Sequence, residues 1–67
     1  MQLSVNGTLR TFELPVRTVA DLVRELSLEG KRIAVEKNGM IVPRSRHAET
    51  AIENGDALEI VGAVGGG

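Results

Sequence analysis

The stretch TVADLVRELSL, Thr18–Leu28, is where the apolar spacing of this chain changes. Val19, Leu22, Val23 and Leu26 fall at i, i+3, i+4 and i+7, one stripe of a helix rather than one face of a strand. Thr18 is a good N-cap. Asp21, three positions on, fills the acidic place of a capping box with a shorter arm than the usual Glu, and complements the positive end of the helix dipole. Gly30 lies just beyond the expected C-terminus. A helix of about ten residues is marginal alone in water, so its stripe must pack on something else.

The flanks supply that partner. Upstream, MQLSV (1–5) alternates apolar and polar, and Asn6-Gly7 follows, a pair suited to the two positive-φ positions of a tight hairpin turn. The returning strand is TLRTFEL (8–14), stopped by Pro15. A two-residue loop puts Val5, Arg10 and Phe12 on one face and Leu9 on the other. Phe12 is then core, and Arg10 lays its stem along the sheet edge with its guanidinium in water.

Downstream, RIAVEKNGMIV (32–42) repeats the design: Ile33 and Val35 alternate with Ala34 and Glu36, Asn38-Gly39 turns the chain, and Pro43 ends it. Residues 43–56 read as a connection with a turn at Asn54-Gly55-Asp56. The last strand, ALEIV (57–61), points Leu58 and Ile60 inward and Ala57, Glu59 and Val61 outward. Hairpin, helix, hairpin, connection, strand is most simply an α+β, β-grasp arrangement: a mixed sheet of five strands with one helix packed across it. The final strand is expected beside the first and central. The expected division is a folded domain over 1–61 and a flexible tail over 62–67.

Composition excludes several functions. At 67 residues the chain is one domain, able to bury roughly 60% of its unfolded surface. It is 42% hydrophobic and 25% charged, a globular balance. Phe12 is its one aromatic residue, so there is no platform for stacking bases, and a net charge of -1 with interspersed signs leaves no footprint for nucleic acid or anionic lipid. Cysteine is absent, which removes disulfide and thiolate chemistry. No basic leader or membrane-length apolar run is seen, and the cytoplasm is the expected compartment.

Reactive constellations are equally scarce. His47, the one histidine, sits between Arg44 and Arg46 on one side and Ala48 on the other with no nucleophile in view, and is expected to be a solvated loop residue. The alternative is a recognition surface in which Arg44, Arg46 and His47 meet acidic groups of a partner. Glu25 and Glu29 lie on or near the polar side of the helix and lack a second ligand type for a metal. No phosphate-loop pattern follows a strand. No enzyme active site is read from the sequence, and no metal site is expected.

The end of the chain, EIVGAVGGG (59–67), is different. From Gly62 to Gly67 it can reach roughly 20 Å when extended. Terminal glycines let backbone thread a narrow channel and leave the last carbonyl carbon unhindered. A carboxylate is ionised at neutral pH and a poor electrophile until activated. ATP would convert it to an acyl adenylate, and a sulfur nucleophile could displace AMP to leave a thiocarboxylate. On composition alone a frayed terminus competes with this reading.

Several segments in one order carry a resemblance: the opening VNG hairpin, TVADLV at the helix start, AVEKNGMIVPRS in the middle, ENGDALEIV before the last strand and GAVGGG at the end. Together they resemble the sulfur carriers of thiamine biosynthesis, the ThiS family of small ubiquitin-like β-grasp proteins, over the whole chain. The resemblance implies that the Gly67 carboxylate, next to Gly66, is adenylated by an ATP-dependent, E1-like activating enzyme using Mg²⁺. A sulfur donor protein would then convert it to a thiocarboxylate that is delivered to thiazole synthase. The chain would be carrier and substrate rather than catalyst, with no bound cofactor. Gly65 and Val64 complete the tail; outward Val61, and Ile41, which a two-residue turn at Asn38-Gly39 places on the uncovered face, are candidates for an apolar docking patch, and Arg44 and Arg46 are further candidate docking residues. Arg10, His47 and Met40 depart from the family pattern. The small subunit of molybdopterin synthase shares the Gly-Gly end but is usually longer, and the third terminal Gly and VPRS argue against it. A β-grasp interaction module with an inert tail predicts that removing Gly66 and Gly67 changes nothing.

Overall fold

The computed structural model describes residues 1–13 and 15–62. Its elements are β1 (Gln2–Val5), β2 (Thr8–Thr11), α1 (Val19–Glu25), β3 (Ile33–Lys37), β4 (Met40–Val42), a 3-10 turn (Arg44–Arg46) and β5 (Ala57–Gly62). The sheet runs β2-β1-β5-β3-β4. β1 and β5 are parallel and the other pairs antiparallel, so the sheet is mixed and the last strand is central, as the sequence pattern predicts.

Both hairpins turn on two residues of positive φ, Asn6 (52°) with Gly7 (80°) and Asn38 (50°) with Gly39 (85°). Those turns fix the register. Leu3 faces Arg10 and Val5 faces Thr8, which puts Leu9 on the far side; Val35 faces Val42 and Glu36 faces Ile41. The inward residues Leu3, Val5, Val35, Val42, Leu58 and Ile60 form one core with Val19, Leu22 and Val23 of α1. Phe12 is buried, and Arg10, exposed as expected, places its guanidinium 5.6 Å from that ring's centroid.

The asparagines do more than turn the chain. The Asn6 side chain accepts from Ile60 N–H at 2.6 Å and donates to Ile60 C=O at 2.9 Å, standing in for the strand residue that the turn has removed. Asn38 acts alike at the start of β5, where its Oδ1 accepts from Ala57 N–H at 2.9 Å. Each hairpin therefore grips the central strand through its turn residue, a role the Asn-Gly pattern does not advertise.

α1 begins as expected. Thr18 Oγ1 accepts from Asp21 N–H at 3.2 Å, and the Asp21 carboxylate accepts from Thr18 N–H at 3.2 Å. The N–H groups of Val19 and Ala20, unpaired within any helix, donate to Thr50 and His47 carbonyls of the 43–56 connection, both at 3.0 Å. The helix ends earlier than the periodicity suggests. Ser27, at φ 60°, takes the left-handed position expected near Gly30, and Leu28 N–H reaches back to Val23 C=O at 2.9 Å in a Schellman closure. Gly30, at φ 80°, serves the next turn instead.

Two core residues carry no periodic signal. Val16 and Ile52 are buried, 2% and 5% exposed, although both lie in irregular segments. They are brought together where the connection pairs with the helix entry, through the Thr18–Ala51 bridge and Ile52 N–H donating to Arg17 C=O at 2.9 Å. No helix of the described residues is long and apolar enough to cross a membrane.

Candidate functional site

The central strand sets the geometry of the chain end. β5 is held on one side by β1 and on the other by β3, and its last paired residue, Gly62, faces Ile33. Pairing thus runs one residue into the expected 62–67 segment, because β3 still offers a partner there. Val64, Gly65, Gly66 and Gly67, the residues expected to carry the chemistry, lie outside the described residues. Five residues follow Gly62, a length of about 17 Å if extended.

The expected docking residues do not form one patch. Val61 and Ile41 both lie on the face of the sheet opposite the helix, 58% and 77% exposed, on either side of β3. Val61 faces Ala34 and Ile41 faces Glu36, so the two apolar side chains stand diagonally across that strand. Arg46 lines an open groove of about 450 Å³ at the β4 edge with Met40, Ile41 and Pro43. Arg44 lines another, about 230 Å³, between the 3-10 turn and α1, beside Val23, Leu28 and His47. Arg46 also pairs with Glu49 at 3.1 Å in the open, a contact worth little.

His47 is not a solvated loop residue. It is half-buried, with Nε2 3.2 Å from the Val42 carbonyl, and its own carbonyl accepts from Ala20 N–H, so it ties β4 to the helix start. A structural bond of this kind needs spatial neighbours that RSRH does not reveal.

Two carboxylates are shifted, and both are structural. The Arg17 N–H, aided by Thr18 N–H and by Arg24, holds Asp21 below the ordinary carboxyl value against the opposing effect of burial. For Asp56, burial pushes upward but is outweighed by bonds from Glu53 N–H at 2.8 Å and Asn38 Nδ2 at 3.0 Å and by Lys37 Nζ at 3.7 Å, and its pKa is lowered. Among the described residues no group of three His, Cys, Asp or Glu could hold a metal ion. None of their buried side-chain polar atoms lacks a hydrogen-bond partner.

A helix laid across one face of a mixed sheet, whose central strand runs out toward a glycine-rich end, defines a small ubiquitin-like β-grasp domain. The sequence model of the ThiS family matches residues 3–67, and the chain belongs to that family. A sulfur carrier protein ThiS from Bacillus subtilis is 35% identical over 65 residues, covering 97% of this chain and 98% of that protein. A protein named thiazole synthase from Paramagnetospirillum magneticum is 45% identical over 67 residues; all of this chain is covered, but it spans only 20% of that protein. The crystal structure of thiamine biosynthesis protein ThiS from Geobacter metallireducens superposes with a TM-score of 0.86 at 32% identity over 100% of both chains. A solution structure of a thiamine biosynthesis protein from the same organism gives 0.82 at 32% identity, covering 100% of this chain and 88% of that one.

Proposed function

We propose that this chain is a cytoplasmic sulfur carrier of thiamine biosynthesis that works through its terminal carboxylate. The observation that carries the reading is the family match over residues 3–67, which runs through the terminal glycines. An ATP-dependent activating enzyme binds the domain and admits the tail. One Gly67 carboxylate oxygen attacks the α-phosphorus of ATP, pyrophosphate leaves, and an acyl adenylate forms, with Mg²⁺ and cations of the enzyme offsetting charge at phosphorus. Sulfur at the oxidation level of sulfide, supplied by a donor protein, then attacks the acyl carbon and expels AMP. The product is a C-terminal thiocarboxylate.

The thiocarboxylate passes its sulfur to thiazole synthase. Support comes from the relative of that name, in which a segment similar to this chain is part of one longer protein. The carrier supplies no general acid, base or metal; its part is to present the carboxylate on a narrow, unhindered stem. Gly66 and Gly67 form the reactive end, Gly65 and Val64 the stem, and Val61 and Ile41 an apolar docking surface at its base. Arg44 and Arg46 lie at separate grooves on the β4 side, from which each could contact an acidic group of a partner.

Removal of Gly67 tests the proposal. The shortened chain should fold unchanged and fail to accept sulfur when incubated with the activating enzyme, ATP, Mg²⁺ and a sulfur source. Undiminished loading of that variant would rule the mechanism out.

A further inference from the structure

The sheet face opposite the helix contains an unfavourable feature that the fold itself does not relieve. Glu36 of β3 and Glu59 of β5 are direct cross-strand partners, a placement that brings Cβ atoms within about 5.5 Å and is destabilising for like charges. Both side chains are exposed, and neither makes an ion pair among the described residues. The residues left undescribed, Leu14 and 63–67, include no basic side chain. Arg32 has the same strand parity as Glu36 but stands four residues away, about 13 Å along an extended chain.

The pair is bordered by apolar and small residues: Ala34 and Val61 are the next cross-strand pair on this face, and Ile41 faces Glu36 from β4. An acidic centre with apolar side chains beside it is complementary to a guanidinium on an apolar surface, since one arginine can donate to both carboxylates through its planar fork. Buried arginines with apolar surroundings are typical anchors of protein interfaces.

We infer that Glu36 and Glu59 together are the seat for an arginine of the ATP-dependent activating enzyme, and that Ile41, Ala34 and Val61 shield that contact from water. This rests on the sulfur-carrier reading above. The choice of partner follows from place and charge: under the proposed function the activating enzyme admits the tail and so covers the face from which the tail leaves, and the acidic pair on that face is complementary to a cation of its surface. Val61 and Gly62 join that face directly to the tail, so seating the arginine also aims the chain end.

The test compares the wild-type chain with the Glu36→Gln, Glu59→Gln double variant. Binding to the activating enzyme is measured by calorimetry at low and high salt, alongside thermal unfolding of the chain alone. The inference predicts that the variant binds about tenfold or more weakly, with a shallower salt dependence, because one partner of a close charged contact has been neutralised. Its unfolding midpoint should be equal or higher, since a repulsion has been removed. A variant that binds as tightly as the wild type, while the wild type is loaded with sulfur, would overturn this inference and leave the carrier reading standing. A wild-type chain that the enzyme neither binds nor loads would overturn both.

Discussion

The two Asn-Gly hairpins flank β5 as near mirror images in sheet order, yet they do different work. In the first, β1 buries Leu3 completely and Val5 almost so, and Asn6 bonds both backbone groups of Ile60 in a partly buried setting. In the second, the inner strand β3 buries Val35 almost as fully, but the Asn38 side chain works in the open with Asp56 and Ala57. The difference teaches that the same turn chemistry can bond the central strand from a partly buried place on one side and from an exposed one on the other. Both returning strands are largely exposed, β2 throughout and β4 except at Val42, so the setting of the turn asparagine is what separates the hairpins.

The largest effect should come from truncating the buried strand of the first hairpin. Leu3→Ala is expected to cost about 2–5 kcal/mol of stability, measured by urea unfolding, whereas Met40→Ala should stay within about 0.5 kcal/mol. Equal losses would erase the distinction between the inner strand of one hairpin and the edge strand of the other.

Next come the two turn asparagines. Asn6→Ala leaves the Ile60 N–H and C=O without their partner in a partly buried place, so a loss of about 1–3 kcal/mol is expected. Asn38→Ala should cost less, because water can replace its exposed bonds. The reverse ranking in paired unfolding curves would mean that the second hairpin anchors β5 more firmly.

A smaller effect is tied to pH. Asp56 has its pKa lowered in the folded state, so its contribution to stability is fully present above the ordinary carboxyl value, about 4. It is lost as pH falls through the lower folded value. Asp56→Asn should therefore lower stability at neutral pH and flatten its decline in acid, as followed by thermal midpoints from pH 7 to pH 2. An unchanged acid limb would detach Asp56 from the second hairpin.

The smallest expected stability change belongs to the open face. Val61→Asp should alter unfolding by no more than about 0.5 kcal/mol yet weaken adenylation kinetics with the activating enzyme. Normal kinetics would remove Val61 from the docking surface.

Strand order, the helix-facing residues and the N-terminal capping box were all legible, because each follows from period, turn chemistry or spacing within a few residues. Leu9 and Ile41 could be assigned to the open face once a two-residue turn was assumed. Val16 and Ile52 were not legible: they are buried by long-range pairing of irregular chain, which leaves no period. The second roles of Asn6 and Asn38, and the tie made by His47, depend on neighbours distant in sequence. Ser27 was missed because a serine rather than a glycine closes the helix. As for the site, Val61 and Ile41 could be placed on one open face, but only the register sets them diagonally about Glu36 and Glu59, and only the fold shows that Arg46 shares a groove with Ile41 while Arg44 lines another.

The most direct test of the carrier role is an intact-mass and C-terminal-fragment spectrum after incubation with the activating enzyme, ATP, Mg²⁺ and a sulfur source. Exchange of one oxygen for one sulfur is nearly isobaric with a methionine oxidation, so the shift must be located away from Met1 and Met40. A shift that maps to Gly67 and depends on ATP is the predicted result. An unmodified tail, obtained while the same enzyme loads another carrier, would contradict it.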